Sequence, residues 1–591
     1  MRLFYHKPLW GLVPLLISSV LSTPTPQQTT ETNGTLFLPS LFPSNPSGIP
    51  TSESFSTDGT LQGSLILHNG RIHTLSPSNP VISVLAIKSG RVVYTGTSLP
   101  AATSLFSTPP KTIDLHQRTA IPGLIDSHNH VVLLGNRPGY HTPLEYASSI
   151  PDVQRIVRER IRNDGVPEGK WVTTIGGFSP NQLAPGLRLP TLEELDDAAP
   201  DHPVFISTSF SGPATANTRG KEILTSLDWE YGPVNVAENG SISSGLENGK
   251  ALLWLRRQLT LEDRKRSVRD AMAYAASVGV TTHLDQGAFT ATNTPADLAA
   301  SEDLFTFHKP WLSVYTEHKG IIRLRLNFLH EDNSTSNPTL AQRLLNTFPF
   351  FGNDMVRTGA VGEFHVSTAD YAGGPSFDAG ALKIAQAGWR LEVHSLTDTD
   401  YKSQIQSFEK INAQVPITNL RWVVAHVPRI TDEYLARLKA LGGGVNLSGW
   451  QYLAGTGNAS NPAGPPWKLI VESGIPAGFG ADGANIAPLS PWPHIYYAVT
   501  GKNAKGELIN PGQTLSRQKA LELYTRDNTW FLGGPDETSL GILEKGRLGD
   551  LVVLSEDYFT VPEERLKKLT SVLTVVGGVV VHESGRLKSL G

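Results

Sequence analysis

Short apolar runs separated by turn residues stand near both ends of the chain, a pattern that predicts β-hairpins. Near the amino end the runs cover residues 64–68, 72–75, 84–87 and 91–95, with Asn69-Gly70 and Ser89-Gly90 as turns. Near the carboxyl end comparable runs cover residues 550–554 and 573–582. Opposite ends of a chain can share one sheet only if the middle folds as a closed unit. We therefore predict one sheet domain built from residues 61–120 and 540–591.

The middle of the chain alternates amphipathic helical stretches with short apolar β-type runs. A helical pattern over residues 261–278 precedes a β run at 280–284, and one over residues 430–441 precedes a β run at 444–447. Repeated βα units imply a parallel sheet, so residues 121–539 predict a (β/α)₈ TIM barrel with insertions, and the fold class is α/β. The alternative is an open doubly wound sheet, but no glycine-rich phosphate-binding fingerprint follows a first strand.

The amino-terminal residues have the layout of a secretory signal. Arg2 and Lys7 precede an apolar run that Pro14 interrupts and that ends in small and polar residues. The run is shorter than the ~20 residues of a membrane span, so we expect residues 1–22 to be a cleaved signal peptide. A buried helix or an uncleaved anchor is the alternative. Residues 23–60, rich in Ser, Thr and Pro, predict a flexible leader.

Composition narrows the classes of partner. A net charge of −4 without a block of like charge argues against nucleic acid or anionic membrane surfaces as main partners. The absence of cysteine excludes a Cys nucleophile and a Cys-ligated zinc site. If the protein is secreted, N-glycosylation is expected at the Asn-x-Ser/Thr sequons of Asn33, Asn239, Asn333 and Asn458. A fifth sequon at Asn446 lies in an apolar run, and we expect it to be unused.

The first chemical signal is a pair of histidines at the end of an apolar run. Residues 121–130 read Ile-Pro-Gly-Leu-Ile-Asp-Ser-His-Asn-His. In an extended strand alternate side chains share a face, so His128 and His130 are spaced to bind one metal ion. A lone His-x-His is weak evidence, because many such pairs are surface accidents.

Later strands of the predicted barrel also end in polar residues, and catalytic groups of barrels stand at the carboxyl ends of strands. These residues are Glu363, His394, His426 and Asp482. Four imidazoles and two carboxylates suit a borderline divalent metal, zinc first, as one ion or two. A metal-bound hydroxide would then be the nucleophile, and Asp482 is the candidate general base and acid.

The chain resembles the amidohydrolase superfamily, in particular its YtcJ-like, amidohydrolase family 3 branch. The motifs that carry the resemblance cover residues 122–130, 388–394, 478–482 and 546–554. The resemblance implies a metal-dependent barrel with a small β-sandwich built from both chain ends. It also implies that His128, His130 and Asp482 hold the more buried metal. His394 and His426 would then hold a second metal, with Glu363 bridging the two.

The sequence departs from the family at its bridging position. Many relatives carry a carbamylated lysine there, whereas residues 361–364 read Val-Gly-Glu-Phe. A glutamate can bridge by itself, but a shift of one residue would point Glu363 away from the site. His365 shares its face and could take the role instead. His283 is displaced from the usual strand-end pattern, and we interpret it as structural.

Substrate contacts are less clearly marked than metal ligands. Trp450 and Tyr452 follow the predicted seventh strand, and Trp492 follows the eighth, so they are candidate substrate-binding residues. Packing of these rings on the barrel rim is the alternative.

The function that follows is a secreted hydrolase that attacks a carbon–nitrogen bond other than a peptide bond in a small-molecule amide. The same site could serve an esterase, a lactonase or a cyclic-imide hydrolase. A non-catalytic, metal-stabilised binding or regulatory protein is the alternative from another class.

Overall fold

A computed structural model describes residue 50 and residues 54–288, 304–483 and 486–588. The predicted signal peptide, most of the predicted leader and Asn33 lie outside the described residues. Among the helices that the structure describes, none has the length and apolar character of a membrane span.

The strands of the described residues fall into an amino-terminal group, a long central group and a carboxyl-terminal group. The first group is β1 (Leu65–His73), β2 (Val81–Lys88), β3 (Arg91–Gly96), β4 (Lys111–Asp114) and β5 (Thr119–Pro122). The central group is β6 (Leu124–Asn129), β7 (Tyr140–His141), β8 (Val172–Ile175), β9 (Val204–Ser207), β10 (Ala214–Ala216), β11 (Ser241–Ile242), β12 (Val280–Asp285), β13 (Arg323–Phe328), β14 (Val356–Val361), β15 (Glu392–Ser395), β16 (Val423–His426), β17 (Gly444–Ser448) and β18 (Ala477–Gly480). The last group is β19 (Leu551–Leu554), β20 (Ser571–Val576) and β21 (Val579–Glu583).

Helices lie between many of the strands. Those before β13 are α1 (Leu99–Thr103), α2 (Ile150–Asn163), α3 (Leu192–Ala198), α4 (Thr218–Thr225), α5 (Gly245–Arg257), α6 (Leu261–Val278) and α7 (Leu304–Thr316). From β13 to β18 they are α8 (Pro338–Asn346), α9 (Pro375–Gln386), α10 (Asp398–Asn412), α11 (Asp432–Ala440), α12 (Gln451–Ala454) and α13 (Trp467–Ser473). Beyond β18 they are α14 (Pro491–Thr500), α15 (Arg517–Leu523), α16 (Thr529–Leu532), α17 (Asp536–Ser539) and α18 (Glu563–Leu566).

Strands from both ends of the described chain form one sheet. Its order is β21-β20-β19-β5-β1-β2-β3, and β4 also pairs with β1. The resemblance implies a sandwich, but these strands are hydrogen-bonded into a single sheet. Apolar side chains from both of its halves, among them Leu85, Ile87, Val553 and Val575, nevertheless belong to one buried cluster.

One predicted turn in this sheet is wrong. Residues 64–75 predict two strands around Asn69-Gly70, but β1 runs through both residues with an irregularity between His68 and Ile72. Asn69 has φ 55°. Asn tolerates this left-handed conformation, so the strand bends without ending. The Ser89-Gly90 turn is confirmed, since Lys88 pairs with Arg91 across it and both turn residues have positive φ.

Two four-stranded sheets carry the alternating βα part of the chain. Their orders are β14-β13-β12-β6 and β15-β16-β17-β18, and all neighbouring strands are parallel. Helix α6 begins and ends where the pattern predicts. Thr260 and Asp263 form a reciprocal cap at its start, and Gly279, with φ 92°, ends it.

Two junctions link the edges of these sheets. A parallel bridge joins Val361 of β14 to Leu391, next to β15. At the other edges, the amide of Asp482 donates to the carbonyl of His128 at 2.7 Å. Gly480 allows this approach, because a Cβ there would lie 2.4 Å from the amide nitrogen of His128.

A third sheet is inserted between β6 and β12. Its order is β11-β10-β9-β8-β7, with β7, β8 and β9 parallel and the remaining pairs antiparallel.

A buried ion pair ties the parallel strands to the terminal sheet. Arg323 of β13 donates to both carboxylate oxygens of Asp550, at 2.7 and 2.9 Å, and both side chains are buried. Asp550 also accepts from the amide of Gly577 at 2.7 Å. The carboxylate that Arg323 bonds directly therefore comes from the segment that leads into the terminal sheet.

Asp550→Asn leaves the guanidinium of Arg323 buried without its charge partner. Removing one partner of a buried pair costs about 3–5 kcal/mol, so we expect the free energy of unfolding to fall by that order. Urea denaturation followed by tryptophan fluorescence measures the change. The control is Glu556→Gln, which breaks the surface pair with Arg565 and should cost less than about 1 kcal/mol. Equal losses in the two variants would contradict the role given to the buried pair.

Candidate metal centre

The six predicted ligands stand at the carboxyl ends of parallel strands. His128 is the last residue but one of strand β6, and His130 follows that strand directly. His394 belongs to β15 and His426 ends β16. Glu363 and Asp482 lie two residues beyond β14 and β18. Because parallel strands end at the same edge, the structure brings all six side chains together.

The carboxylate of Glu363 is the centre of this group. Its Oε1 lies 3.0 Å from Nε2 of His130. Its Oε2 lies 3.0 Å from Nδ1 of His394 and 3.0 Å from Nε2 of His426. Nε2 of His128 is 3.5 Å from the same oxygen. One carboxylate thus faces four imidazoles, and Glu363 is only 4% exposed.

Asp482 closes the group on another side. Its Oδ1 lies 3.7 Å from Nε2 of His130 and 4.0 Å from Nε2 of His128. Its Oδ2 lies 3.8 Å from Nδ1 of His426. Two triplets of donor atoms are close enough to share an ion: His128 with Glu363 and His426, and His128 with His130 and Asp482.

Hydrogen bonds behind the imidazoles fix their tautomers. Nδ1 of His128 donates to the carboxylate of Glu392 at 2.6 Å, and Nδ1 of His130 donates to the carbonyl of Gly287 at 2.8 Å. Nδ1 of His426 is hydrogen-bonded to the hydroxyl of Ser448 at 2.9 Å. With Nδ1 protonated in His128 and His130, their Nε2 atoms turn lone pairs toward the two carboxylates.

The donor set fits a divalent cation. Nε2 of His128 is buried and has no hydrogen-bond partner among the described residues. Neutral imidazole nitrogens and carboxylate oxygens that face one another at 3–4 Å need a positive charge between them. Nitrogen and oxygen ligands of this kind suit zinc and related metals.

The electrostatics of the group favour positive charge. Burial raises the pKa of Glu363, but His394, His128 and His130 outweigh it and hold that pKa well below its usual value. Burial lowers the pKa of His130, but Glu363 and Asp482 raise it to about 9. The field that attracts a proton to His130 also attracts a metal cation.

The backbone around two ligands is held in an uncommon conformation. His426 has φ 68° and Asp482 has φ 51°, both in the left-handed region that residues other than glycine rarely adopt. Asp126 helps to hold the Asp482 segment, because its carboxylate accepts from the amides of His128 and Ala481, both at 3.1 Å. The chain segments at the ends of the edge strands β6 and β18, which carry His128 and Asp482, are therefore held side by side.

The two histidines left open by the sequence lie outside the ligand group. Nε2 of His365 donates to the carbonyl of Phe377 at 3.0 Å, and its ring packs on the ring of Phe377. It is thus Glu363 that faces the other ligands. His283 is buried and bonds through Nδ1 to the side-chain amide of Asn129 at 2.8 Å. That contact agrees with a structural role for His283.

The three candidate substrate aromatics differ in position. Trp450 is half-buried and follows Ser448, the residue that bonds His426. Tyr452 is buried, with its ring edge-on to Tyr496. The structure does not place Trp492 with the ligands. Its ring is 0% exposed and its indole nitrogen donates to the carbonyl of Val278 at 2.9 Å, so it has no surface to offer a substrate.

Two buried polar residues behind His128 were missed in the sequence. Glu392 accepts from both His128 and the side-chain amide of Asn446, which lies 3.1 Å away. Glu392 precedes His394 by two residues, so a charged residue on the ligand face of an apolar strand was the available signal. Asn446 also donates to the carbonyl of Ser127, and its burial agrees with an unused sequon.

Comparison with known families gives one match over most of the chain. The model of the amidohydrolase family matches residues 111–582. Two relatives align over nearly their whole lengths. The N-substituted formamide deformylase of Arthrobacter pascens is 20% identical, over 88% of this chain and 98% of that protein. The putative amidohydrolase YtcJ of Bacillus subtilis is 23% identical, over 88% of this chain and 99% of that protein.

Solved structures share the fold. A metal-dependent hydrolase from Pyrococcus horikoshii superposes with a TM-score of 0.55 at 19% identity, over 85% of this chain and 99% of that one. Atrazine chlorohydrolase from Arthrobacter aurescens, solved with zinc, superposes with a TM-score of 0.51 at 17% identity, over 88% of this chain and 95% of that one.

Glu392→Gln tests the support behind His128. The amide lacks the charge that holds the Nδ1 proton of His128. The ring should therefore be less firmly oriented, and its Nε2 should be less basic. Loss of such a partner typically weakens metal affinity about 10–100-fold. Competition with a coloured chelator measures the zinc affinity of the purified protein.

The matched control for this test is Glu409→Gln, which removes a carboxylate paired with Arg437 on the surface. Its zinc affinity should equal that of the wild type. An unchanged affinity in Glu392→Gln would show that Glu392 does not support the metal centre.

Proposed function

The chain belongs to the amidohydrolase family, and from this premise we propose that it hydrolyses a carbon–nitrogen bond in a small-molecule amide. The observation that carries the proposal is the convergence of four imidazoles on the buried carboxylate of Glu363. Such a group suits a metal cation and a hydrolytic role. A purely structural role is a weaker explanation, because burying so many polar groups costs free energy of folding.

The proposed scaffold is a closed (β/α)₈ barrel. The two parallel four-stranded sheets would contribute its eight strands, in chain order around a ring. The Val361–Leu391 bridge supports closure at one junction, and the bond from the Asp482 amide to the His128 carbonyl supports it at the other. In this arrangement the ligands occupy the carboxyl face, where barrel enzymes carry their active sites.

The proposed cofactor is zinc, as one ion or two. His128, His130 and Asp482 would hold one ion, and His394 and His426 a second, with Glu363 between them. A divalent ion in such a site polarises the substrate carbonyl and makes water a nucleophile at neutral pH. Glu392 and the carbonyl of Gly287 keep the Nε2 lone pairs of His128 and His130 available for this role.

Asp482 is the residue that moves the proton in the proposed reaction. Its Oδ1 faces His128 and His130, and Oδ2, which lies 3.8 Å from Nδ1 of His426, is the oxygen proposed to accept a proton from the attacking water. The same oxygen then donates that proton to the departing nitrogen, which leaves as a neutral amine. The left-handed backbone at Asp482 and the hydrogen bond from its amide fix the carboxylate in place.

Small N-substituted amides are the proposed substrates. One relative is named an N-substituted formamide deformylase, which makes N-substituted formamides the first compounds to test. The half-buried Trp450, beside the strand end that carries Ser448, is the proposed aromatic contact for the substituent.

Asp482→Asn keeps the shape of the side chain and removes its ability to accept a proton. We expect kcat for amide hydrolysis to fall about 10²–10⁴-fold. The assay is hydrolysis of N-substituted formamides and acetamides by zinc-loaded protein, expressed per bound zinc ion so that weaker metal binding is not mistaken for lost chemistry. Esters, lactones and cyclic imides belong in the same panel.

Asp432→Asn is the control for this variant, because Asp432 is exposed in the first turn of α11. It should retain full activity. Full activity per zinc ion in Asp482→Asn would refute the proton-transfer role. A wild-type protein that stays inert after addition of zinc, manganese or cobalt would instead support a binding or regulatory protein.

The proposed location is outside the cell, after cleavage of the signal. Three sequon asparagines, Asn239, Asn333 and Asn458, are exposed in the structure, which supports their use as glycan sites. Residues of this kind accept glycans only in the secretory pathway.

Secretion is tested on protein from the culture medium of the native organism. Amino-terminal sequencing should begin near residues 20 to 25, and removal of N-glycans should increase mobility on a gel. Asn→Gln at Asn239, Asn333 and Asn458 together should abolish that mobility shift unless Asn33 also carries a glycan. An intact Met1 on the mature chain would contradict cleavage.

A further inference from the structure

Glu145 is a buried carboxylate outside the group of predicted metal ligands. It lies between β7 and α2, in a connection that leads out of the inserted sheet. Its Oε1 accepts from the amide of Leu489, and its Oε2 accepts from the amide of Ser490 at 2.9 Å. The hydroxyl of Tyr274, on α6, donates to the same Oε2. One carboxylate thus holds two successive amides of a distant part of the chain.

The amides that Glu145 holds belong to residues 486–490, which lead into α14 and pack against the neighbour of Asp482. Gly483 follows Asp482, and a Cβ at Gly483 would lie 2.9 Å from the Cα of Leu489. The carbonyl oxygen of the preceding residue lies equally close to the same point. At this distance the backbone beside Asp482 and the backbone at Leu489 must move together.

The segment that carries Glu145 is itself well supported. The side-chain amide of Gln182 donates to the carbonyls of Leu144 and Ala147, at 3.0 and 2.8 Å. Gly177, with φ 77°, leaves room for the carboxylate, since a Cβ there would lie 3.2 Å from Oε1 of Glu145. Glu145 is therefore a fixed support against which residues 486–490 are held.

The ionised form of Glu145 suits its three donors. Two backbone N–H groups and the hydroxyl of Tyr274 point at the carboxylate, and a negative charge strengthens each of these bonds. Burial raises the pKa of Glu145 to about 7, although the three donors lower it. At pH 8 the side chain is therefore ionised, and experiments at that pH examine the carboxylate.

We propose that Glu145 is a positioning residue for Asp482: its carboxylate holds residues 486–490 and, through their contact with Gly483, fixes the backbone that carries the proton-transferring side chain. The inference rests on the proposed amide hydrolysis, and it gives the inserted sheet a role in that reaction. Glu145 acts only through the position of Asp482 and takes no part in bond cleavage.

Glu145→Gln keeps the shape of the side chain and removes its charge. In either orientation of the new amide, its NH₂ group faces a backbone N–H, so the bond to Leu489 or to Ser490 is lost. We expect kcat for amide hydrolysis at pH 8, expressed per bound zinc ion, to fall about 10–100-fold, because small displacements of reacting groups have effects of that size. KM should change little.

The leaving group distinguishes a displaced Asp482 from a general loss of structure. In the proposed reaction Asp482 donates a proton to the departing nitrogen, and a weakly basic aniline needs that proton less than a more basic one. In Glu145→Gln, kcat should therefore fall more for N-phenylformamide than for N-(4-nitrophenyl)formamide. Equal losses for the two, with a lower thermal midpoint, would show a purely structural role and refute the proposal.

The matched control is Glu159→Gln on α2, which removes a partly exposed carboxylate paired with Arg155. It should match the wild type on both formamides. Should Glu145→Gln fail to fold, Tyr274→Phe serves in its place, because it removes one donor to the carboxylate and leaves the two amides bonded. It should give a smaller loss of kcat with the same dependence on the leaving group, and equal losses would again refute the proposal.

Hydrogen exchange tests the hold of Glu145 without any turnover. Mass spectrometry of zinc-loaded protein at pH 8 follows peptides that cover Leu489 and Ser490. Their amides should exchange about 10–100-fold faster in Glu145→Gln than in the wild type, because a hydrogen bond to a charged group is lost. The control Glu159→Gln should leave the exchange unchanged.

These measurements separate the positioning role from the hydrolase proposal. If amides are hydrolysed and Glu145→Gln keeps the wild-type kcat, the positioning role is refuted and the hydrolase proposal stands. If nothing is hydrolysed but Glu145→Gln speeds exchange and weakens zinc binding, the hydrolase proposal falls and the positioning of Asp482 stands. Unchanged exchange, or unchanged zinc affinity in an inactive protein, would refute the positioning role.

Discussion

The buried carboxylate of Glu363 is the constraint on which the rest of the site depends. It faces four imidazoles, and a charge this deeply buried requires a compensating positive charge, on the rings themselves or on a bound cation. The four imidazoles come from three strands that are far apart in sequence. Only parallel strands that end at one edge can deliver them to a single point. The parallel arrangement of the strands is therefore a condition for assembling the ligands around Glu363.

Three of the ligands are held by residues that have no direct part in the predicted metal binding. Glu392 and the carbonyl of Gly287 orient His128 and His130, and Asp126 joins the segments of His128 and Asp482. Neutral rings with fixed tautomers lose little freedom when they bind a cation, which raises affinity. The scaffold is stabilised at a distance by the buried Arg323–Asp550 pair, which ties β13 to the terminal sheet.

Features with local causes could be predicted from the sequence, and features set by tertiary contacts could not. Helix α6 carries its own start and stop signals at Thr260 and Gly279, so both of its ends were predicted correctly. His128 and His130 share a face by strand geometry alone. Asn69-Gly70 was read as a turn because its pairing with distant strands is invisible locally. Glu392 carries a local signal, a charge on the ligand face of an apolar strand, but its role behind His128 is visible only in the tertiary contact between the two side chains.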